Sequence, residues 1–331
     1  MSKEIVSQAC GKTILTGEHI VVYGYPAVLL PLNVYTQCKI NNIRPSSPYR
    51  EKNIVISALD KQTALSWEDI DKCCTHLKEN TPDIRLGLTL WSLKTSLDFF
   101  ETRNYPSFNL QIESSVPTGG FGSSTAAASA IVRGMAELAN RSLSPSELYE
   151  LLVDIETRNG AVVSGADQYV VSHEIPIKFK KNTTPEEINI NSEMLNYFLI
   201  INSGTPSSTT KDCVDYVAQL RNSDPERTDN IFNRLAEQGV EMIDSIQEND
   251  ADRFFNSVKE SGELLISLGV VSPQSIDLIR KIEDLDGYLK LTGAGTISHG
   301  GSGGILCFSD TYDKIEAFLN EINVGYLRAS I

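Results

Sequence analysis

The feature that most constrains the fold is a glycine-rich loop near the middle of the chain, Thr118–Ser124, with the sequence Thr-Gly-Gly-Phe-Gly-Ser-Ser. An alternating, strand-like run at Phe108–Glu113 precedes it, and an alanine-rich segment that predicts a helix, Thr125–Ala139, follows it directly. The loop glycines allow positive φ angles and close approach to a ligand. A strand, a tight loop and a helix in this order are typical of layered folds in which helices cover a sheet.

The first turn of the predicted helix is suited to bind an anion. The backbone N–H groups of Gly122–Thr125 have no partners within the helix, and the positive end of the helix dipole lies beside them. Ser123 and Ser124 add hydroxyl groups that can donate to phosphate or coordinate Mg²⁺. These features favour a phosphate-binding loop, and the alternative is a flexible turn capped by a serine.

Two common nucleotide-binding fingerprints are absent from the sequence. Gly11-Lys12-Thr13 has the ending of a P-loop, but Val6 stands where the first glycine is required. Gly293-Ala294-Gly295 begins like a dinucleotide-binding loop, but Ser298 takes the place of its third glycine. A nucleotide bound by this chain therefore requires another fold.

Strand-like and helical patterns alternate along the 331 residues and predict two domains. We place the boundary near residue 185, in a polar linker or exposed loop at Lys178–Glu187, so that the domains are 1–185 and 186–331. Besides the elements named above, the first domain is predicted to contain the strands Glu4–Ala9, Thr13–Thr16, Val34–Ile43 and Asn53–Leu59 and the helices Trp67–Leu77, Leu86–Arg103 and Pro145–Arg158. The second contains the strand Tyr197–Ile201, four helical stretches between Thr209 and Lys281, the strands Gly287–Leu291, Gly304–Phe308 and Val324–Leu327, and a helix at Asp313–Asn320.

Composition excludes several classes of partner. The chain has 29 Lys and Arg against 43 Asp and Glu, a formal charge of −14, and a surface this acidic repels nucleic acid and anionic membranes. No run approaches the roughly 20 apolar residues of a membrane span, and the first ten residues lack a signal-peptide core, which predicts a cytoplasmic protein. The six cysteines form no C-x-x-C pair and the four histidines are scattered, so we expect reduced thiols and no zinc site.

Two further segments carry residues suited to catalysis. Near the amino terminus, a strand with Lys12 leads into a Gly-Glu-His turn at Glu18 and His19, and we expect the chain to return as a strand through Val21–Gly24. The plainer interpretation is an edge lysine and a hydrogen-bonded turn histidine. In mid-chain, Glu156 and Asp167 stand 11 residues apart, at a helix end and after a Ser-Gly turn. Such carboxylates can hold a metal ion and orient a reacting hydroxyl group, although a helix-terminal glutamate is more often only solvated.

Together these segments resemble the GHMP kinases. The first resembles that family's Gly-Lys…Gly-Glu-His…Val-Val-x-Gly-x-Pro-Ala opening, the glycine-rich loop its phosphate loop, and the Glu156…Ser-Gly-Ala-Asp167 segment its carboxylate motif. Lys290-Leu-Thr-Gly-Ala-Gly295 resembles its third glycine-rich motif, and the four occur in the family's order. The resemblance implies an α/β + α+β, two-domain GHMP kinase fold, with an N-terminal α/β domain, a C-terminal ferredoxin-like domain with extra helices, and ATP and substrate in the cleft between them.

The resemblance also implies roles for residues. Asp167 would accept or orient the proton of the attacking hydroxyl, and Lys12 would lie beside it, lower its pKa and neutralise charge on the transferred group. Mg²⁺ would be held by Ser124 and Glu156. The ATP phosphates would be wrapped by Gly119, Gly120, Phe121, Gly122, Ser123, Ser124 and Thr125, and the substrate side would be formed by Glu18, His19, Thr209 and Ala294.

The expected activity is ATP-dependent phosphorylation of a small-molecule alcohol. The run Val-Val-Tyr-Gly-Tyr-Pro-Ala after Glu18 and His19 favours a mevalonate-like acceptor, with phosphomevalonate, a sugar or homoserine as alternatives. An inactive nucleotide-binding relative and a docking protein whose glycine loops are only turns are alternatives from other classes. Thr296–His299 interrupts the glycine run of the third motif and is expected to reshape the acceptor pocket. A homodimer is one option for the assembly.

Overall fold

The computed structural model describes residues 4–44, 47–58, 61–80, 84–101, 105–161, 163–190 and 193–331. The chain forms two compact units that are discontinuous in sequence: residues 1–11, 34–118 and 122–174 form the first unit, and residues 12–33, 119–121 and 175–331 form the second. The sequence predicted a linear division near residue 185. The observed grouping differs because the first two strands are long and each runs from one unit into the other, while the loop at 119–121 belongs to the second.

The strands and helices follow the predicted alternation. The strands are β1 Ile5–Thr16, β2 Ala27–Arg44, β3 Ile54–Ala58, β4 Lys61–Leu65, β5 Ser107–Ser114, β6 Ile177–Phe179, β7 Glu186–Glu187, β8 Phe198–Asn202, β9 Tyr288–Leu291, β10 Gly304–Phe308 and β11 Tyr326–Ala329. The helices are α1 Trp67–Asn80, α2 Ile84–Phe99, α3 Ser123–Leu138, α4 Pro145–Arg158, α5 Ala166–His173, α6 Thr210–Ser223, α7 Pro225–Glu248, α8 Ala251–Leu268, α9 Pro273–Glu283 and α10 Tyr312–Glu321.

The first unit is a mixed sheet with helices. The carboxyl-terminal half of β2 pairs antiparallel with β5, β5 pairs parallel with β3, and β3 pairs antiparallel with β4. Helices α3 and α4 pack through a buried aliphatic cluster that includes Val132, Leu148 and Leu152. Helix α4 begins where the sequence predicts it, because Ser144 and Glu147 form a reciprocal capping box around Pro145. This α/β arrangement confirms the predicted class of the amino-terminal half.

The second unit is built on an antiparallel sheet in the order β11-β8-β10-β9. Ile305 of β10 lies opposite Ile201 of β8 on one side and opposite Leu291 of β9 on the other, so β10 is central. The strands are buried against the four helices α6–α9 and against α10, with Phe232, Leu265 and Ile315 in the shared core. An antiparallel sheet covered by helices is the α+β arrangement predicted for the carboxyl-terminal half. Within the described residues, no helix has the length and apolar character that crossing a membrane requires.

Several predicted elements differ in detail. Glu4–Ala9 and Thr13–Thr16 are parts of the single strand β1. The return strand predicted at Val21–Gly24 is wrong: Ile20–Tyr23 is a 3₁₀ helix, because the positive φ angles of His19 and Gly24 curl the chain at both ends.

The predicted loop at Lys178–Glu187 contains the strands β6 and β7, since the buried side chains of Ile177 and Phe179 alternate with the exposed Lys178. The short β4 and α5 were not predicted. Leu59 and Arg103, at the ends of two predicted elements, lie outside the described residues.

The six cysteines all lie in described parts of the chain, and none of them forms a disulfide. Burial raises the pKa of the Cys38 thiol to about 12 and that of the Cys74 thiol to about 12. Thiols with raised pKa values carry little thiolate at neutral pH and are poor nucleophiles. The prediction of reduced cysteines without a redox role is consistent with these environments.

Candidate active site

The glycine-rich loop has the backbone that the sequence predicts. Gly119, Gly120 and Gly122 have φ angles of 86°, 96° and 70°, which side chains with a Cβ rarely adopt. Helix α3 then begins at Ser123, and no side chain caps its first turn. The side chain of Ser124 is exposed and that of Ser123 is half-buried. The amide groups and hydroxyls that a phosphate requires are therefore not consumed by a capping side chain.

The loop is anchored by Phe121 inside the second unit. The backbone N–H of Lys12 donates to the carbonyl oxygen of Phe121 at 2.9 Å. The Phe121 ring is buried and packs directly on Gly304, where an added Cβ would lie 2.1 Å from the ring. Phe121 was predicted to bind ATP, and any contact with a ligand falls to its main chain because the side chain is part of the core.

A buried carboxylate cluster lies in the first unit. The hydroxyl of Thr125 donates to Oε1 of Glu156 at 2.6 Å, and Nε2 of Gln168 donates to Oε2 at 2.5 Å. Glu156 is 8% exposed, and both donors are more deeply buried. The two hydrogen bonds fix the carboxylate at the carboxyl-terminal end of α4. Thr125 was predicted as a phosphate ligand, and its hydroxyl instead orients Glu156.

The cluster also has the donor set of a Mg²⁺ site. Oε1 of Gln168 is buried and has no hydrogen-bond partner among the described residues. An orphaned amide oxygen beside a carboxylate is satisfied by a cation, and Mg²⁺ is usually held by one or two carboxylates, other oxygens and substrate phosphates. A protein-only cage of three or more Asp, Glu, His or Cys side chains is not found in the part of the chain described. Gln168 was missed in the sequence, where its position beside Asp167 was the one available signal.

Asp167 lies in the first turn of α5. This helix begins after Gly165, which has a φ angle of 89°, and the Asp167 side chain is half-buried. A carboxylate in the first turn is stabilised by the helix dipole. Lys12 lies in the second unit, on β1, and is 3% exposed. That Lys12 lies beside Asp167 stays a prediction.

Glu18 and His19 form a tight turn held to the third glycine-rich motif. The carboxylate of Glu18 is buried and forms an ion pair with Lys290, and Nε2–H of His19 donates to the carbonyl oxygen of Ala294 at 3.0 Å. Burial raises the pKa of Glu18 above its ordinary value and lowers the pKa of His19 to about 4, so His19 is neutral at pH 7. The substrate contacts expected of Glu18, His19 and Ala294 stay predictions.

The interruption of the third motif is folded onto the segment before α6. Ser207 Oγ lies 2.6 Å from Ser298 Oγ and donates to the His299 carbonyl oxygen at 2.6 Å, and Ser208 lies 3.0 Å from the Thr296 hydroxyl. Thr209 is exposed and caps α6, with its hydroxyl 2.7 Å from Oδ2 of Asp212. The hydroxyl of Thr209 thus has a structural partner, and its contact with substrate stays a prediction.

The second unit therefore brings three of the predicted segments together: Lys12–His19, Gly119–Phe121 and Lys290–Ala294. Thr292 Oγ1 lies 3.0 Å from Thr13 Oγ1, and an added Cβ on Gly120 would be 3.3 Å from the Cα of Gly293. The first unit brings together Ser123–Thr125, Glu156 and Gln168. The residues available in the two units are a lysine, main-chain amides, hydroxyls and two carboxylates, which are the groups that phosphoryl transfer requires.

Comparisons with known proteins agree with this chemistry. Residues 90–174 match the family model of the GHMP kinases N terminal domain. The chain is 27% identical over 292 residues to a mevalonate kinase of Archaeoglobus fulgidus, which covers 88% of this chain and 89% of that protein. The crystal structure of the Methanococcus jannaschii mevalonate kinase has a TM-score of 0.82 at 23% identity and covers 99% of this chain and 98% of that one. The L. major mevalonate kinase in complex with R-mevalonate has a TM-score of 0.75 at 18% identity and covers 100% and 99%.

Proposed function

We propose that this chain, which belongs to the GHMP kinase superfamily, transfers the γ-phosphoryl group of ATP to the 5-hydroxyl of mevalonate. The observation that carries the proposal is the similarity to mevalonate kinases over nearly the full length of both chains. The fold class agrees, and the four motifs occur in the same order along this sequence.

The reaction assigns a task to each group of residues. The main-chain amides of Gly119–Thr125 hold phosphate oxygens, and the ammonium group of Lys12 neutralises charge on the transferred group. The substrate hydroxyl oxygen forms the new bond to phosphorus as the bond between the γ-phosphorus and the bridging oxygen breaks, and ADP leaves. The hydroxyl proton passes to the carboxylate of Asp167, or Asp167 orients it for release to water.

The residues of the first unit fit a Mg²⁺ ion. We propose that Ser124, Glu156 and the unsatisfied oxygen of Gln168 hold it together with phosphate oxygens. The basis is the chemistry of these oxygen donors and the burial of the orphaned amide oxygen. Bound Mg²⁺ neutralises charge on the phosphates. Thr125 and Gln168 orient the carboxylate of Glu156 whether or not the ion is present.

The acceptor side is proposed to include Glu18, His19, Thr209 and Ala294. The Thr296–His299 interruption lies on Ser207 and Ser208, just before Thr209. This contact favours a second candidate within the family, an acceptor other than mevalonate, because it changes the shape of the loop near the proposed substrate residues. Phosphomevalonate, a sugar and homoserine are the alternatives. Cytoplasmic location and a homodimer stay predictions.

An acceptor panel tests the proposal. The purified chain is incubated with Mg-ATP and, separately, mevalonate, phosphomevalonate, galactose and homoserine, and ADP release is followed by a coupled assay. We expect turnover with mevalonate and a kcat/KM at least about a hundredfold lower with the others, because a site that hydrogen-bonds one acceptor leaves polar groups unpaired with another.

Turnover with a different acceptor alone would assign the chain to another GHMP kinase activity. Binding of Mg-ATP without ADP release from any acceptor would identify an inactive relative. No binding of Mg-ATP at millimolar concentration would reduce the glycine-rich loops to turns.

A further inference from the structure

Lys290 is the most deeply buried cation outside the residues already assigned a task. It lies on β9, is 1% exposed, and directs its ammonium group at three oxygen atoms. These are Oε1 of Glu18, the carbonyl oxygen of Leu291 at 2.8 Å and the carbonyl oxygen of Ile14 at 3.4 Å. A lysine ammonium has three N–H donors, and this environment supplies three acceptors, so the charged form is matched to the site.

Lys290 and its neighbours hold the segment that carries Lys12. Thr292 Oγ1, two residues beyond Lys290, accepts from the Ile14 N–H at 3.3 Å and lies 3.0 Å from Thr13 Oγ1. Ala294 accepts from His19. One short stretch, Lys290–Ala294, thus fixes the chain on both sides of the Gly17–His19 turn. All of these contacts lie within the second unit.

Glu18 has two cations close enough to influence it. Besides the ion pair with Lys290, the ammonium group of Lys12 also favours the charged form of Glu18 and so opposes the rise in its pKa that burial causes. Lys12 is itself buried, and its backbone is bonded to Phe121 in the phosphate loop. If Lys290 were absent, Lys12 would be the remaining cation for a carboxylate that has left water, and such a charge attracts any nearby partner strongly.

We infer that Lys290 is a positioning residue for the proposed phosphoryl transfer: it neutralises Glu18 and fixes the Gly17–His19 turn, so that Glu18 does not capture the ammonium group of Lys12. The inference rests on the proposed function. It assigns Lys290 no contact with substrate. The competing explanation is that the Glu18–Lys290 pair only stabilises the fold, in which case its loss lowers stability without a specific effect on turnover.

Four variants separate these explanations. Lys290→Met removes the charge and keeps the length of the side chain, Lys290→Arg keeps the charge and changes the shape, and Lys290→Met/Glu18→Gln removes both charges. Arg328→Met is the matched control, because it breaks another ion pair of the second unit, with Glu316, on β11 and α10, which carry none of the proposed site residues.

The readouts are kcat, the KM for ATP and the denaturant midpoint. We expect Lys290→Met to lower kcat about a hundredfold with the KM for ATP changed less than about threefold, a loss in transition-state stabilisation. The double variant and Lys290→Arg should both recover at least about tenfold in kcat over Lys290→Met, since one releases Lys12 from Glu18 and the other restores the neutralising charge. Arg328→Met should lower the denaturant midpoint and leave kcat within about twofold.

Three results would overturn the inference alone: a loss in Lys290→Met no larger than in Arg328→Met, a double variant no more active than Lys290→Met, or equal losses in kcat and ATP binding. If Lys290→Met does not fold, the double variant decides, and a kcat more than about thirtyfold below wild type would overturn the inference. A wild-type chain without activity on any acceptor would instead overturn the proposed function, and this inference with it.

Discussion

At the scale of single residues, the structure separates side chains that can act on a ligand from those that hold others in place. Phe121, Thr125 and Glu18 were predicted to contact nucleotide, phosphate or substrate, and each side chain is buried against a partner inside the protein. Lys12 differs because the proposed task of its charge arises only as phosphoryl transfer proceeds. A group whose interaction strengthens in the transition state affects kcat more than binding.

Replacement of Lys12 tests that distinction. Lys12→Met should lower kcat by about a thousandfold and change the dissociation constant of Mg-ATP by less than about threefold, because the lost charge acts mainly on the transition state. Steady-state kinetics and calorimetric titration with Mg-ATP measure the two quantities. Parallel losses in both would move Lys12 to a nucleotide-holding role.

Sequence reasoning found the lysine and the two carboxylates but not the residues that support them. Lys12, Glu156 and Asp167 stand in short motifs whose spacing is visible in the chain. The partners of Glu156 and Glu18 are 12 and 272 residues away, at Gln168 and Lys290, and spacing alone does not reveal that these side chains meet. The pairing of Glu18 depends on the register of β9 in the folded sheet, which only tertiary structure supplies.

At the scale of elements, the long helices were predicted well and the short strands poorly. Helix α4 was predicted with its observed bounds because its capping box and first-turn proline are local signals. The strands β6 and β7 lie in a polar segment and exist because β6 pairs with β2, a contact that local sequence does not encode. The phosphate loop was predicted because its glycines mark positive φ angles.

Two neighbouring glycines allow a controlled test of the loop. Gly119→Ala imposes the cost of a positive φ angle, about 1 kcal/mol, and its new Cβ meets nothing within 4 Å. Gly120→Ala imposes the same cost, and its Cβ also lies 3.3 Å from the Cα of Gly293, a backbone atom that cannot turn away. We expect the KM for ATP to rise more in Gly120→Ala than in Gly119→Ala, as measured by steady-state kinetics. Equal effects would show that the close approach to the third motif does not position the loop.

At the scale of the whole molecule, the buried turn couples stability to pH. The pKa of His19 is lowered from 6.5 to about 4 by burial, so the unfolded chain binds a proton at His19 more readily than the folded chain does. The unfolded state is therefore favoured as pH falls from about 6.5 towards about 4, and the His19 contribution above pH 6.5 is zero.

Removal of the imidazole should reduce this loss. His19→Gln keeps an N–H that can donate to Ala294 but does not titrate. Between pH 7 and pH 4, we expect the free energy of unfolding to fall by about 3 kcal/mol less in His19→Gln than in wild type, from the 2.5-unit difference in pKa. Urea denaturation at a series of pH values measures the difference. Identical pH profiles would mean that His19 is hydrated in the folded protein.

The long strands that pass between the two units have a consequence for biosynthesis. Residues 12–33 belong to the second unit, and Glu18 finds Lys290 only after 272 further residues have been joined to the chain. On the ribosome, the amino-terminal strand must wait for nearly the whole polypeptide before its partners emerge, and contacts this distant in sequence form slowly. Truncated chains that end before β9 will leave this strand unpaired and prone to self-association.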